Sequence, residues 1–520
     1  MRTSRGTTMS RSLSDAVAAV VAVFRNRPGD FLPLYLLGAA VPAIARVIPF
    51  LAAFVGYVYL EATGRITTAR EQLTAIDLDP LSPDADPDAF DAWAESLAPV
   101  FEQLLTPTIA VLALVAIGGT ILLTIALFPI VSAAQLSACY GRLRDERGLV
   151  AGIAGTRRFA GRLLGLYVLE FALWLFVGGG FLAVMLVLVG GFTLAGVPAV
   201  GILVGLFATL AVVAALAVVR AVFAFAPVAV VVDDAGVFGS LSATVSFVRS
   251  QPVDAVFYYA LSVGSIVALS IVSGILAVLE VVTVVSLVAV FLLLPALDLL
   301  KTALYCDYRG RLTPPLSPER SVRTQFRAGL DRGWHEMLSF VRSTPTTHAV
   351  VVVLALVGFW AGWRVADPYT GIDAFEASIA ARLDGHVPPT AALEFFGNNW
   401  MVAITTALSG LALVVPAIVS LLFNGMFMGV LSQFEVAPVE LLAFVIPHGI
   451  FEIPAILIAT ALGISLGVTF WRAARGQLRR VTFADELERA FWVLVGVGIL
   501  LAVAGVVEGF VSPYYYQPFL

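Results

Sequence analysis

The chain has 520 residues, of which 60% are hydrophobic and 13% charged, with a mean hydropathy of +0.95. So apolar a composition excludes a soluble globular domain of this size and requires a membrane. The net charge of −5, with no basic block outside short loops between apolar runs, gives no footprint for nucleic acid.

Met1 to Arg11 is polar, and Ser12 to Phe24 is a short amphipathic stretch ending in Arg25 and Arg27. No cleavable signal peptide is expected before the first span, and the N-terminus is expected in the cytosol. The apolar runs that follow reach roughly 20 residues or more and lack the short alternation of barrel strands, so they must be helices. The fold class is all-α: a polytopic helical membrane protein with about eleven transmembrane helices, six plus five.

Six spans are expected near 31–60, 107–138, 163–190, 198–231, 254–276 and 279–304. The loops set their direction. Segment 61–106 carries ten acidic residues, among them Asp77, Asp79, Asp84, Asp86, Asp88 and Asp91, against Arg65 and Arg70, and reads as external. Segment 140–162, with Arg142, Arg144, Arg147, Arg157, Arg158 and Arg162, reads as internal, and so does the Arg-rich 305–346. Cys139 and Cys306 fall at the basic ends of two spans, where thiols stay reduced, so neither a disulfide nor a metal held by the two cysteines is expected. Within the third and fourth spans Glu170 and Arg220 lie at similar depth and could form a buried pair; the alternative is that each snorkels separately or lines a wet crevice. Asp298 and Lys301 lie near a span end and are expected to be solvated.

Thr313-Pro314-Pro315-Leu316-Ser317-Pro318 breaks the apolar rhythm and marks the domain boundary. The expected division is a six-span membrane domain over 1–310, a cytosolic linker over 311–346 with an amphipathic helix from about Arg320 to Phe340, and a five-span membrane domain over 347–520. That helix is expected on the inner membrane surface, or on the cytosolic face of the first domain. The second part opens with a span near 347–365, followed by an external acidic segment with Asp367, Asp373, Glu376, Asp384 and Glu394. Arg472, Arg475, Arg479 and Arg480 then read as internal, so an odd number of crossings lies between. Three crossings near 400–421, 423–446 and 448–471 are expected, with a re-entrant hairpin as the alternative, and a last span near 490–511 leaves the C-terminus outside.

The chemistry concentrates in this second part. In Pro447-His448-Gly449-Ile450-Phe451-Glu452-Ile453-Pro454, His448 and Glu452 are four residues apart and share a helical face, and the flanking prolines predict a short, interrupted helix. Asn398, Asn399, Asn424, His448, Glu452 and Glu508 are polar groups of an otherwise apolar bundle, costly in lipid unless paired, and they are expected to converge in one cluster. Gly425, Gly429, Gly449 and Gly467 would allow close backbone approach, and Pro447 and Pro454 would break helices. An open helix N-terminus at Pro447 could instead bind an anion or shape a solute path. His448 and Glu452 also have metal-ligand spacing. Only four histidines exist, however, and His335, His348 and His386 are expected near or beyond the membrane surface, so no catalytic residue, metal ligand set or cofactor is assigned.

Two resemblances follow from these motifs. Phe225-Ala226-Pro227, then Asp233-Asp234-Ala235-Gly236 and a Ser-rich amphipathic stretch, loosely resemble multi-pass membrane domains sometimes fused to glycerophosphodiester phosphodiesterases, over roughly 12–310, with no catalytic residue carried across. The second part is sharper. Phe396-Gly397-Asn398-Asn399, Gly410, Asn424-Gly425 with Gly429, Pro447-His448-Gly449 with Glu452 and Pro454, the run Ala459 to Gly467, and Glu508-Gly509-Phe510 come in a fixed order over about 330–515. This region resembles the stage II sporulation protein M family of integral membrane proteins. The resemblance implies a non-enzymatic membrane component, which in spore formers acts with cell-wall-degrading partners during engulfment; the family also occurs in organisms that never sporulate. The expected function is a non-enzymatic scaffold or assembly factor for cell-envelope or membrane remodelling, at the cell membrane, with a transporter or permease for a small solute or lipid as the alternative. Membrane lipid and other envelope proteins are the expected partners, nucleic acid is not, and self-association is left open.

Overall fold

The computed structural model describes residues 13–76, 93, 95–370, 378, 379, 383 and 385–515. Residues 1–12 and 516–520 lie outside these, as do Asp77, Asp79, Asp84, Asp86, Asp88, Asp91, Asp373, Glu376 and Asp384, on which the external reading of the acidic segments leaned.

The regular elements are helices. The first are α1 (Leu13–Asn26), α2 (Leu32–Ala45), α3 (Val47–Ala62), α4 (Arg65–Thr74), α5 (Ala98–Leu104) and α6 (Pro107–Arg142). Next come α7 (Gly148–Leu194), α8 (Pro198–Val232), α9 (Val237–Ser250), α10 (Pro252–Val278), α11 (Thr283–Val288) and α12 (Leu294–Tyr308), with a π-helical turn joining the last two. The chain continues through α13 (Val322–Ser343), α14 (Pro345–Ala366), α15 (Pro388–Ser409), α16 (Val415–Phe434), α17 (Pro438–Ala474), α18 (Arg480–Phe510) and α19 (Ser512–Tyr515). Among the described residues ten stretches are long and apolar enough to cross a membrane: α2 with α3, α6, α7, α8, α10, α11 with α12, α14, α16, α17 and α18. They comprise the six expected before the linker and four of the five after it. In place of the eleventh, near 400–421, stands α15, which is not among the ten.

The helix breaks of the C-terminal part also differ from expectation. Pro447 and Pro454 lie inside the continuous α17 of 37 residues, so neither ends a helix. Each proline removes one backbone donor, a loss that lipid-embedded helices tolerate when neighbouring helices pack around the site. The breaks fall at 410–414 and 435–437 instead. In the first, Leu413 and Val414 have φ of 62° and 72°, a costly conformation for bulky side chains and most of all for the β-branched Val414.

The chain forms two compact units interleaved in sequence, one from 1–38, 126–272 and 289–325, the other from 39–125, 273–288 and 326–520. The first unit is organised by carboxylates that hold helix ends. Asp30, fully buried, accepts hydrogen bonds from the amides of Gly148 (2.8 Å) and Leu149 (3.3 Å) at the start of α7, and from Nε of Arg147 (3.2 Å). A carboxylate there satisfies amides that have no intrahelical partner and complements the helix dipole. The buried Arg142 guanidinium lies 3.8 Å from the same carboxylate. Beyond α8, Asp233 accepts from Arg309 and from the Tyr305 hydroxyl at 2.6 Å, and Asp234 binds Arg158 at 2.6 Å and Arg162 at 2.5 Å.

Those two arginines, Arg158 first, hold the Asp234 carboxyl below its ordinary value of about 3.9. A depressed folded-state value means that the pair stabilises above the unfolded value and loses that effect as pH falls through the folded one. Thermal unfolding followed from neutral pH into acid should show Asp234→Asn less stable than the parent at neutral pH, with the gap closing on acidification; a gap independent of pH would contradict the pairing.

Glu170 and Arg220 do meet, at 3.0 Å, but the expected burial is wrong on one side: the Arg220 side chain is 63% exposed and Glu170 14%. Asp298 and Lys301, expected in solvent, are instead a mostly enclosed pair at 2.7 Å, with the buried Tyr35 donating to Asp298 and lying 3.2 Å from Cys139. Cys139 and Cys306 are free and buried.

In the second unit the amphipathic α13 packs on α18. A Cβ on Gly333 would come within 2.7 Å of Val495, and one on Gly496 within 2.5 Å of the Gly333 carbonyl. Arg332 lies over the Trp492 ring at 4.5 Å and 3.4 Å from Glu488. Helices α14 and α16 approach backbone to backbone: a Cβ on Gly362 would meet the Met426 carbonyl oxygen at 2.0 Å, and one on Gly429 the Phe359 carbonyl at 2.1 Å. Such small-residue contacts are how apolar helices gain packing energy in lipid. Gly425 joins this seam, and Gly467 admits the 410–414 turn, whereas Gly449 meets only side chains of its own helix. The close approach expected of Gly449 is therefore absent, because its face of α17 has no helix backbone against it.

Candidate functional site

The polar groups that converge are His448 and Glu452 of α17, Glu508 of α18 and Ser512 of α19. One ligand atom from each of His448, Glu452 and Glu508 lies within 4.8 Å of the others. The carboxyl group that comes within 4 Å of His448 is not that of Glu452, one turn along its helix, but that of Glu508 across the helix pair, with Nε2 to Oε1 at 3.9 Å. On the other edge of the ring, Nδ1 is 2.9 Å from the Ser512 hydroxyl. With Nδ1 as the donor to that hydroxyl, the Nε2 lone pair faces the carboxylates. The Phe444 ring packs edge-on at 5.4 Å, one turn before His448. His448 is 6% exposed and Glu508 9%, and Oε2 of Glu508 is buried without a hydrogen-bond partner.

Depth follows from the helix ends. Glu508 is two residues from the end of α18, and His448 is ten residues, or about 15 Å, into α17. The cluster thus closes one end of the α17–α18 pair. Over the same end, the amide of Ile379 donates to Oε1 of Glu435 at 3.3 Å, Ile379 is buried with Ala443 and Phe444, and His386 Nε2 lies 2.9 Å from the Gly509 carbonyl oxygen.

The three asparagines do not join. Asn398 donates to Asn399 at 3.3 Å on an exposed part of α15, and Asn424 donates to the Ser420 carbonyl of its own helix at 2.8 Å. An amide that reaches a carbonyl one turn back is satisfied locally and needs no distant partner. The Ser420 hydroxyl contacts that of Thr406 at 2.6 Å, a polar contact between α15 and α16 that is separate from the cluster. Ser512 is the member that sequence reasoning missed; its signal was the four-residue spacing from Glu508, which puts both on one side if the helical path continues past Phe510.

The motifs with this geometry lie in one stretch of the chain. Residues 350–513 match the family model Stage II sporulation protein M. The match covers the C-terminal part and bears out the resemblance drawn from the ordered motifs of that region. Every member of the cluster, from His448 to Ser512, falls inside the Stage II sporulation protein M match. The likeness of residues 12–310 to domains fused to phosphodiesterases rests on the sequence pattern alone. No curated protein and no solved structure matches the chain.

Proposed function

We propose that this multi-pass membrane protein is a non-enzymatic scaffold or assembly factor for cell-envelope or membrane remodelling. The observation that carries the reading is the backbone contact of α14 with α16 at Gly362 and Gly429, inside the family-matched region. Helices in contact through their backbones cannot slide or part without losing their packing, which suits a rigid platform better than a gated path. In this reading the N-terminus is cytosolic, the C-terminus and the 366–398 segment are external, and the partners are membrane lipid and other envelope proteins, with further copies of the chain as candidates.

A photo-crosslinking residue placed at Val387 or Leu393, both exposed, tests this in intact cells. The scaffold reading expects the same envelope protein to be captured from both positions and lost when the external segment is replaced. Capture of lipid alone would overturn it. One observation favours the alternative of lipid or solute movement: an apolar cavity of about 620 Å³, lined by Pro49, Tyr57, Leu60, Leu112 and Tyr369, with Arg70 among its walls. Flux in reconstituted vesicles, abolished by Arg70→Ala with the fold retained, would favour that second reading.

A further inference from the structure

Two carboxyl groups and an imidazole meet at this buried site, and neither helix brings a basic residue near them. The nearest basic residue beyond Glu452 on α17 is Arg472, and the nearest before Glu508 on α18 is Arg489, each some 30 Å along its helix. Glu508 keeps a buried oxygen with no hydrogen-bond partner, a cost that a hydrogen-bonded staple leaves standing.

We propose that His448 Nε2 and the carboxylates of Glu452 and Glu508 bind one divalent first-row transition-metal ion, with Zn2+ the best match. Two carboxylates and a neutral imidazole around a dication make a site with no net charge, which can be buried where the separated charges cannot. Two metal–ligand bonds of about 2.1 Å span up to about 4.2 Å, and the 3.9 Å between His448 Nε2 and Glu508 Oε1 lies within that reach. The ligand atoms of all three groups lie within 4.8 Å of one another, so that side-chain rotation alone would bring them to bonding distance of one ion. A donor set of one nitrogen and two oxygens selects Zn2+, Mn2+ or Fe2+ over Mg2+ and Ca2+, which prefer oxygen alone. Ser512 has a part in this: its hydroxyl, 2.9 Å from Nδ1, would accept from Nδ1–H when Nε2 holds the metal, and so would orient the ring. The ion would tie α17 to α18 at the end covered by Ile379 and His386, and three protein ligands leave one position for water. Metal binding stands or falls separately from the scaffold reading.

The test uses the full chain purified in detergent with any histidine tag removed. Elemental analysis should find about one equivalent of a first-row metal per chain. After removal of metal by chelation, ZnCl2 should raise the thermal midpoint. Glu452→Gln, at the less buried ligand, should keep the size-exclusion profile of the parent while weakening Zn2+ binding at least about tenfold, and Ser512→Ala should weaken it by about tenfold through loss of the orienting contact. Two results would overturn the proposal: metal at background with no thermal response to Zn2+, Mn2+ or Fe2+, or metal content equal in the parent and in a His448→Ala, Glu452→Gln double variant.

Discussion

Gly362→Leu should abolish the folded C-terminal bundle, measured as loss of the monodisperse size-exclusion peak and of the cooperative thermal transition in detergent. The first added carbon would lie 2.0 Å from the Met426 carbonyl oxygen and 2.7 Å from its carbonyl carbon. These are backbone atoms of a helix, so no side-chain rotation relieves the clash, and α14 and α16 must separate. The expected cost is about 3–5 kcal/mol, at the upper end of overpacking effects. Gly264→Leu is the matched control, because a Cβ there meets nothing within 4 Å and the change should stay within about 1 kcal/mol. Equal behaviour of the two variants would contradict the backbone seam.

Asp30→Ala should lower stability by about 3–5 kcal/mol, since it leaves the buried Arg142 without its carboxylate and removes the acceptor from two amides at the start of α7. Asp30→Asn keeps one acceptor oxygen but not the charge and should fall between. Thermal melts of the two variants against the parent give that order; a loss for Asp30→Ala of under about 1 kcal/mol would mean that water replaces the carboxylate and that the contact is not structural.

The sequence showed most clearly what composition and length determine. Helical spans were legible because long apolar runs without barrel alternation leave the helix as the way to satisfy the backbone in lipid, and the family-matched region because its motifs keep their order. The Glu170–Arg220 pair was legible from matched depth, although its exposure was not, since an apolar helix gives no sign of which side meets another helix. Prolines misled at 447 and 454: they read as breaks in water but are accommodated inside α17. The positive φ of Leu413 and Val414 has no glycine to announce it, so the true break at 410–414 was hidden. Asn398, Asn399 and Asn424 were drawn into one cluster on polarity, yet each amide found a local partner. Asp30 was overlooked because its partners lie more than a hundred residues away in the chain.

The convergence of α17 and α18 at His448 and Glu508 is tested most directly by a double-mutant cycle on thermal stability. His448→Ala, Glu508→Gln and their combination should be non-additive, with a coupling of about 1 kcal/mol or more between side chains 3.9 Å apart. Additivity to within about 0.5 kcal/mol would show that the two groups do not interact in the folded protein.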